Sequence, residues 1–460
     1  MFALPGIVGL LLFIFIRPHE FVEAFRGLPM LYIFFALAVW GMVVDLRLGL
    51  TKAVRTPQLP YILLFLGWCI LTMMVRAPSS LAGEVPNLLI LLTIYLTFAH
   101  GIQSLRAFQL VCAFLLVFSG FVAFVSAHQG FAEFQCVEVD GFSHASDLAG
   151  RPDGRSCDSA DACAIDAPDP ELGYRCEKVG LFGTTSIGHG RVRYLGVLQD
   201  PNEMSLAVCV GLPLAFGFLS RKRSTTRVVA FIAMFLLVAL STVFSQSRGG
   251  QIVFLVTLGA YFVRRFGWKG AVAAGLLASP MLLLGGRSGE EASQSSQERL
   301  EAWATAVMLF RQFPIVGVGC RQILEYHFIT AHNSYLLAPA ELGFPGFTIW
   351  TSVLYLAAKT PIMALTRYAK TPGADAVRSW SMALTASFIG LSFGIFFLSF
   401  CYHYVLWVYF GMSGALYTSI KRHDPAFEVR FGPRDLAAVA TVCAMILVAV
   451  GVYTRLKGAA

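Results

Sequence analysis

The chain has 460 residues, of which 57% are hydrophobic and only 13% charged. About a quarter of the residues of a soluble domain are charged, so an ordinary soluble globular fold is excluded. The net charge of +8 invites a nucleic-acid reading. The Lys and Arg residues fall between apolar runs, where topology determinants lie, and no basic patch with interleaved aromatics is present, so no nucleic-acid partner is expected.

Apolar runs of roughly 17–24 residues recur along the chain, enough for helices to cross a bilayer core of about 30 Å. They do not alternate apolar with polar, as barrel strands do. The expected fold class is therefore all-α: a polytopic transmembrane helical bundle. Its spans are expected at about 2–16, 28–45, 59–75, 85–100, 107–127, 203–220, 227–245, 250–266, 270–285, 334–357, 380–399, 402–420 and 435–455, or about 12–13 in all. The first run, Phe2 to Ile16, lacks a basic leader and a small-residue cleavage site, and is expected to stay as a span. Membrane lipids are its surroundings.

Four links are densely basic: Arg221, Lys222, Arg223 and Arg227; Arg264, Arg265 and Lys269; Lys359, Arg367, Lys370 and Arg378; and Lys421, Arg422, Arg430 and Arg434. The positive-inside rule assigns them to the cytoplasm. Segments 128–202 and 286–333 and the turn Gln246–Gly249 then face outward. Five regions follow: N-terminal helices (1–127), an outer insertion (128–194), central helices (195–285), an outer helical segment (286–333) and C-terminal helices (334–460).

The insertion is dominated by acids, among them Glu138, Asp140, Asp147, Asp153, Asp158, Asp161, Asp166, Asp169, Glu171 and Glu177, and it holds Cys136, Cys157, Cys163 and Cys176. Clustered cysteines on an outward face suit an oxidising compartment. They are disulfide candidates, with three connectivities open. Zinc is the competing reading, but paired C-x2-C spacings and an adjacent His are lacking.

Three elements of the outer face could carry chemistry. In Ser245-Gln-Ser-Arg-Gly-Gly250, Arg248 sits among small residues, where a guanidinium and nearby backbone N–H groups suit an anion. Beyond Ser295-Ser-Gln-Glu298, a capping-box pattern that should start a helix, Arg299 precedes an apolar stripe of Leu300, Trp303, Val307 and Phe310. The stripe marks an amphipathic helix on or in the membrane surface, ended by Pro314. In His332-Asn-Ser334, Asn333 or Ser334 caps the next helix, and the positive helix end beside His332 favours a neutral imidazole able to act as a base. His327 is its competitor. Pro339, Pro345 and Gly346 should kink or break that helix. No D-x-D pair, H-E-x-x-H or Walker loop lies near these residues. Neither a metal nor a cofactor is expected.

Five blocks occur in order: Arg193-x-x-Gly196 with Asp200-Pro-Asn-Glu203; Ser247-Arg-Gly-Gly250; Arg299-x-x-x-Trp303; Phe313-Pro-Ile-Val-Gly317-x-Gly319; and His332-Asn-Ser-Tyr-Leu with Glu341-Leu-Gly343 and Gly346. Together they resemble the O-antigen ligase and oligosaccharide polymerase superfamily of bacterial membrane glycosyltransferases, over roughly residues 190–350. The resemblance implies a multi-pass protein of the bacterial inner membrane and a donor glycan linked to undecaprenyl pyrophosphate. It also implies metal-independent transfer on the periplasmic face. Arg248 and Arg299 would hold the pyrophosphate, and His332 would activate the acceptor hydroxyl for inverting attack on the anomeric carbon. Arg193, Asn202 and Glu341 would be secondary substrate-binding residues. The long Cys-rich insertion departs from the family's usual short loop. Ligation to lipid A-core is the leading expectation. A polymerase with a second carrier-linked glycan as acceptor, a protein O-glycan ligase, and a lipid-linked oligosaccharide transporter are the alternatives.

Overall fold

The computed structural model describes residues 1–139, 150–165, 167–169, 172–219, 224–284 and 290–458. Asp140, Asp147, Asp166 and Glu171 of the acidic insertion, and Arg221, Lys222 and Arg223 of one basic link, lie outside the described residues. The helices, in chain order, are α1 (Ala3–Phe15), α2 (Met30–Arg47), α3 (Leu59–Arg76), α4 (Leu81–Gly101), α5 (Leu105–Phe131), α6 (Ala160–Ile165), α7 (Pro201–Leu219) and α8 (Thr225–Phe244). They continue with α9 (Arg248–Phe266), α10 (Trp268–Leu284), α11 (Glu290–Gln312), α12 (Ser334–Arg367), α13 (Asp375–Gly394), α14 (Tyr404–Lys421) and α15 (Pro433–Leu456).

A helix occupies each expected apolar segment. Among the described residues, however, only seven are long and apolar enough to cross a membrane: those of Met30–Arg47, Leu59–Arg76, Pro78–Gly101, Leu105–Phe131, Pro201–Leu219, Thr225–Phe244 and Pro433–Leu456. The expectation of about 12–13 spans counted every apolar run. Some of those runs fold into helices short of a span's length, α1 with 13 residues and α10 with 17. Helix α14 is covered by protein. It is buried almost throughout, and its polar residues are used against other helices: Ser413 Oγ donates to the Ala357 carbonyl at 2.7 Å and Thr418 Oγ1 to that of Ala99 at 2.9 Å.

The chain divides into two compact units. The first comprises residues 1–7, 34–111 and 288–460. Its centre is α12, which contacts α3, α11, α13, α14 and α15. Helices α4 and α14 approach closely because they meet at glycines: a Cβ on Gly411 would lie 2.6 Å from Phe98, and one on Gly414 2.5 Å from Ala99. Buried Gln58 closes the polar ledger between three elements, donating to Thr360 Oγ1 at 3.0 Å and Ser413 Oγ at 3.1 Å. One basic link meets acids on and beside the next. Lys359 pairs with Asp435 at 2.7 Å and Arg367 with Asp424 at 2.9 Å.

The second unit comprises residues 8–33 and 112–287. Helices α7, α8 and α9 pack together in it, and α10 lies against α9. It also holds the insertion, which the all-α expectation does not cover. Strands β1 (Phe134–Val139), β2 (Arg151–Ser156) and β3 (Gly173–Lys178) form an antiparallel sheet in the order β2-β1-β3. The cysteines pair as Cys136–Cys163 and Cys157–Cys176, which chooses one of the three connectivities. The sulfurs of Cys136, Cys157 and Cys163 fall within 4.8 Å of one another, as metal ligands would, but all three are spent in disulfides. They form the small core of the insertion with Phe134 and Tyr174. Each bridge closes a loop long enough to contribute roughly 3 kcal/mol in the chain-entropy account, which a sheet this small needs.

Candidate functional site

Helix α11 begins at Glu290 and runs through Ser295, so the Ser295–Glu298 capping pattern lies inside it and does not start it. The helix packs against α12 and α15 with Ala302, Ala306, Val307 and Leu309 buried, while Leu300, Trp303 and Phe310 of the expected stripe are half-buried. Arg299 is half-buried on this helix. One turn on, the Trp303 ring meets Phe396 at 5.5 Å and Tyr453 at 6.2 Å. Its Nε1 is buried with no hydrogen-bond partner among the described residues.

The helix ends before Pro314, and the following loop is shaped to fit a break in α12. Pro345 has no N–H for the Glu341 carbonyl, and Gly343 leaves the helix at φ +66°. Partners for the freed groups come from the loop and from α3. Gly319 N–H donates to the Glu341 carbonyl at 2.9 Å, Val318 N–H to that of Ala340 at 3.0 Å, and Phe344 N–H to that of Pro314 at 2.8 Å. Trp68 Nε1 donates to the Leu342 carbonyl at 2.8 Å. The approach demands glycine. A Cβ on Gly343 would lie 2.1 Å from the Ile315 oxygen, and one on Gly317, at φ +63°, 2.2 Å from the Glu341 backbone. Gly343→Ala and Gly317→Ala are each expected to cost roughly 2 kcal/mol or more. Gly67→Ala, with open space around it, should cost nothing. Thermal unfolding of the detergent-solubilised variants checks this, and equal melting of all three would refute it.

His332 is half-buried and held at φ +43°, a left-handed backbone that non-glycine residues rarely adopt. The residues after it hold it there. Asn333 is the N-cap of α12: its Oδ1 accepts from Tyr335 N–H at 2.9 Å. Ser334 is bound on both sides, its N–H to the Ile395 carbonyl at 2.8 Å and its Oγ to the Leu398 carbonyl at 2.6 Å, while Phe400 N–H donates to that Oγ at 2.7 Å. Asn333 is fully buried, yet its Nδ2 has no partner among the described residues. Sequence reasoning treated Asn333 as a cap only. The buried orphan donor beside His332 is visible only in three dimensions. His327 is turned to its own loop, with Nδ1 3.1 Å from the Ile329 carbonyl and the ring stacked on Phe328.

The secondary candidates lie differently. Both carboxylate oxygens of Glu341, which is 1% exposed, are used within the protein, accepting from Tyr402 OH at 2.9 Å and from Ile323 N–H at 3.3 Å. Two residues that the sequence did not single out fasten the same loop: the Arg76 guanidinium lies 4.0 Å over the Phe313 ring, and Glu84 pairs with Arg321 at 3.2 Å.

Arg248, Arg193 and Asn202 belong to the second unit. Arg248 is exposed at the first position of α9, whose N-cap Ser247 accepts from Gly250 N–H at 2.9 Å. Two sequence blocks meet here. Ser247 Oγ donates to Asn202 Oδ1 at 2.7 Å, and Val192 N–H donates to the Phe244 carbonyl at 3.1 Å. Gly250 allows α9 to touch α7, since a Cβ there would lie 2.3 Å from Ser205 Oγ. Arg193, 5% exposed, turns to the insertion's base, where its Nε donates to the Thr185 carbonyl at 2.9 Å. Burial pushes the Glu177 carboxyl up, and the Ser186 hydroxyl bond and the positive charge of Arg193 oppose that shift.

No curated protein matches this chain. The bundle is that of a multi-pass membrane protein, and residues 233–351, which carry Arg248, Arg299, His332 and Glu341 but neither Arg193 nor Asn202, match the family model described as O-Antigen ligase.

Proposed function

We propose that this protein is a membrane glycosyltransferase that moves a glycan from undecaprenyl pyrophosphate to an acceptor hydroxyl on the extracytoplasmic face, as an O-antigen ligase acting on lipid A-core. The observation that carries the proposal is the construction around His332. A histidine in a rarely adopted backbone state, fixed by the Asn333 cap and the Ser334 bonds, stands within the stretch that matches the ligase family.

In this reading Arg248 and Arg299 hold the pyrophosphate and balance the charge it gains as it leaves. His332 takes the proton of the acceptor hydroxyl. The acceptor oxygen bonds to the anomeric carbon as the bond from that carbon to the pyrophosphate oxygen breaks, with inversion. Asn333 Nδ2 and Trp303 Nε1 are two buried donors left for substrate oxygens.

The test uses purified protein in a lipid bilayer with an undecaprenyl-pyrophosphate oligosaccharide, with or without lipid A-core. Product that requires lipid A-core supports the ligase. Longer carrier-linked chains formed without it would make the protein a polymerase. No turnover in either case would shift the assignment to a protein acceptor or to transport.

A further inference from the structure

A second site lies in the first unit, around the connection between α2 and α3. A cavity of about 420 Å³ opens there, within the range of about 300–1,000 Å³ typical of small-ligand sites. Its apolar wall includes Met42, Val43, Leu46 and Leu59, and the cations Lys52 and Arg55 stand in its lining. Helix α2 is a membrane-spanning helix that exposes Val39, Trp40, Val43 and Leu46. The cavity therefore continues an apolar, lipid-facing helix surface and ends at a charged loop.

The cations around this loop fall into two groups. Lys359, Arg367, Lys421 and Arg430, on the adjoining basic links, each have a carboxylate partner. Among the described residues Lys52 and Arg55, like Arg422 and Arg434, form no ion pair with a carboxylate; both are exposed, and Arg55 also lines a second cavity of about 410 Å³ with Tyr61, Glu428 and Arg430. His100 also lines the apolar cavity, and its Nε2 is buried with no hydrogen-bond partner among the described residues. The loop is held firmly: Gln103 bonds both the N–H and the carbonyl of Lys52, at 2.8 and 2.7 Å, and Arg422 donates to the Leu50 carbonyl at 3.1 Å. That last bond places the loop beside the 421–434 link, which charge bias assigns to the cytoplasmic side.

We infer that this cavity holds one anionic phospholipid of the cytoplasmic leaflet. An acyl chain lies along Val43 and Leu46, the phosphodiester faces Lys52 and Arg55, and His100 Nε2 reaches a glycerol-ester oxygen. An apolar wall, two cations outside any ion pair and an orphan nitrogen complement those three parts of one molecule. A free phosphate would leave the apolar wall unexplained, and a neutral lipid the cations. The site is independent of the glycosyltransferase reading, since it uses none of the residues assigned to transfer.

The test is native mass spectrometry of the full chain released from detergent, titrated with dioleoylphosphatidylglycerol or dioleoylphosphatidylcholine. The first phosphatidylglycerol is expected to bind more tightly than the first phosphatidylcholine. Each cation near an anionic lipid surface contributes roughly fivefold in affinity. Lys52→Gln with Arg55→Gln should therefore weaken the phosphatidylglycerol complex about twenty-five-fold and leave phosphatidylcholine unchanged. Val43→Trp, which fills the cavity, should weaken both, and Arg434→Gln, on the neighbouring basic link and outside the cavity, neither. Equal binding of the two lipids, an unaffected double variant, or an equal loss in Arg434→Gln would overturn the inference. So would displacement of phosphatidylglycerol by equimolar undecaprenyl phosphate, because the occupant would then be the carrier lipid.

Discussion

Replacing His332 by Ala, Asn or Gly is expected to lower transfer by roughly 10²–10⁴-fold, the range for loss of a general base. The three substitutions separate chemistry from backbone strain. At φ +43° Ala adds strain, Asn tolerates the left-handed region, and Gly relieves it. Stability should therefore rise from Ala to Asn to Gly, while turnover stays low in all three. Free imidazole should restore part of the activity of the Gly variant, which a merely structural role would not predict. His327→Ala should keep near wild-type turnover, because that ring is engaged with Ile329 and Phe328. Full activity in the Asn variant would remove His332 from the role of base.

The second large effect concerns the two arginines. Arg299→Lys and Arg248→Lys are each expected to lower kcat/KM by roughly 10²–10³-fold, since an ammonium keeps the charge but loses the two-pronged match to phosphate oxygens. Arg248 is exposed and Arg299 half-buried, and Lys keeps the charge at both positions. Melting temperatures should stay near wild type. Arg193→Ala is expected to behave in the opposite way. Arg193 is buried against the Thr185 carbonyl with Glu177 in its field, so its loss leaves a buried carbonyl unpaired and Glu177 with Arg175 as its remaining cation, and destabilises the fold by roughly 1–3 kcal/mol. Surviving Arg193→Ala protein should turn over normally. Retained kcat/KM in both Lys variants would sink the pyrophosphate assignment, and a normal melting temperature with lost turnover in Arg193→Ala would return Arg193 to the substrate.

The helical segments were legible because a continuous apolar run of this length has few uses other than a buried helix. Their partners were not. Composition does not say whether a helix such as α14 is covered by lipid or by other helices, and Ser413 and Thr418 read as mild blemishes until Ala357 and Ala99 are seen to accept from them. The start of α11 was misjudged for a related reason. Ser295 and Glu298 form a valid local capping pattern, but the helix continues past it to Glu290, where local propensity was outweighed by its setting in the longer helix.

The sequence by itself determined that the chain is a helical membrane protein, that its cysteine-rich insertion is set apart, and that Arg248, Arg299 and His332 sit in motif-bearing stretches, because hydropathy runs, spacing and residue type are one-dimensional properties. Only the tertiary structure decided which cysteines pair, that the insertion is a three-stranded sheet, and that the 313–319 loop supplies the hydrogen bonds broken at Gly343 and Pro345. It alone showed that Arg193 donates to the Thr185 carbonyl and that Glu341 accepts from Tyr402 and Ile323. Each of these depends on which groups meet across long separations in the chain. A proline kink removes a hydrogen bond locally, but the replacement donors come from wherever the fold brings them.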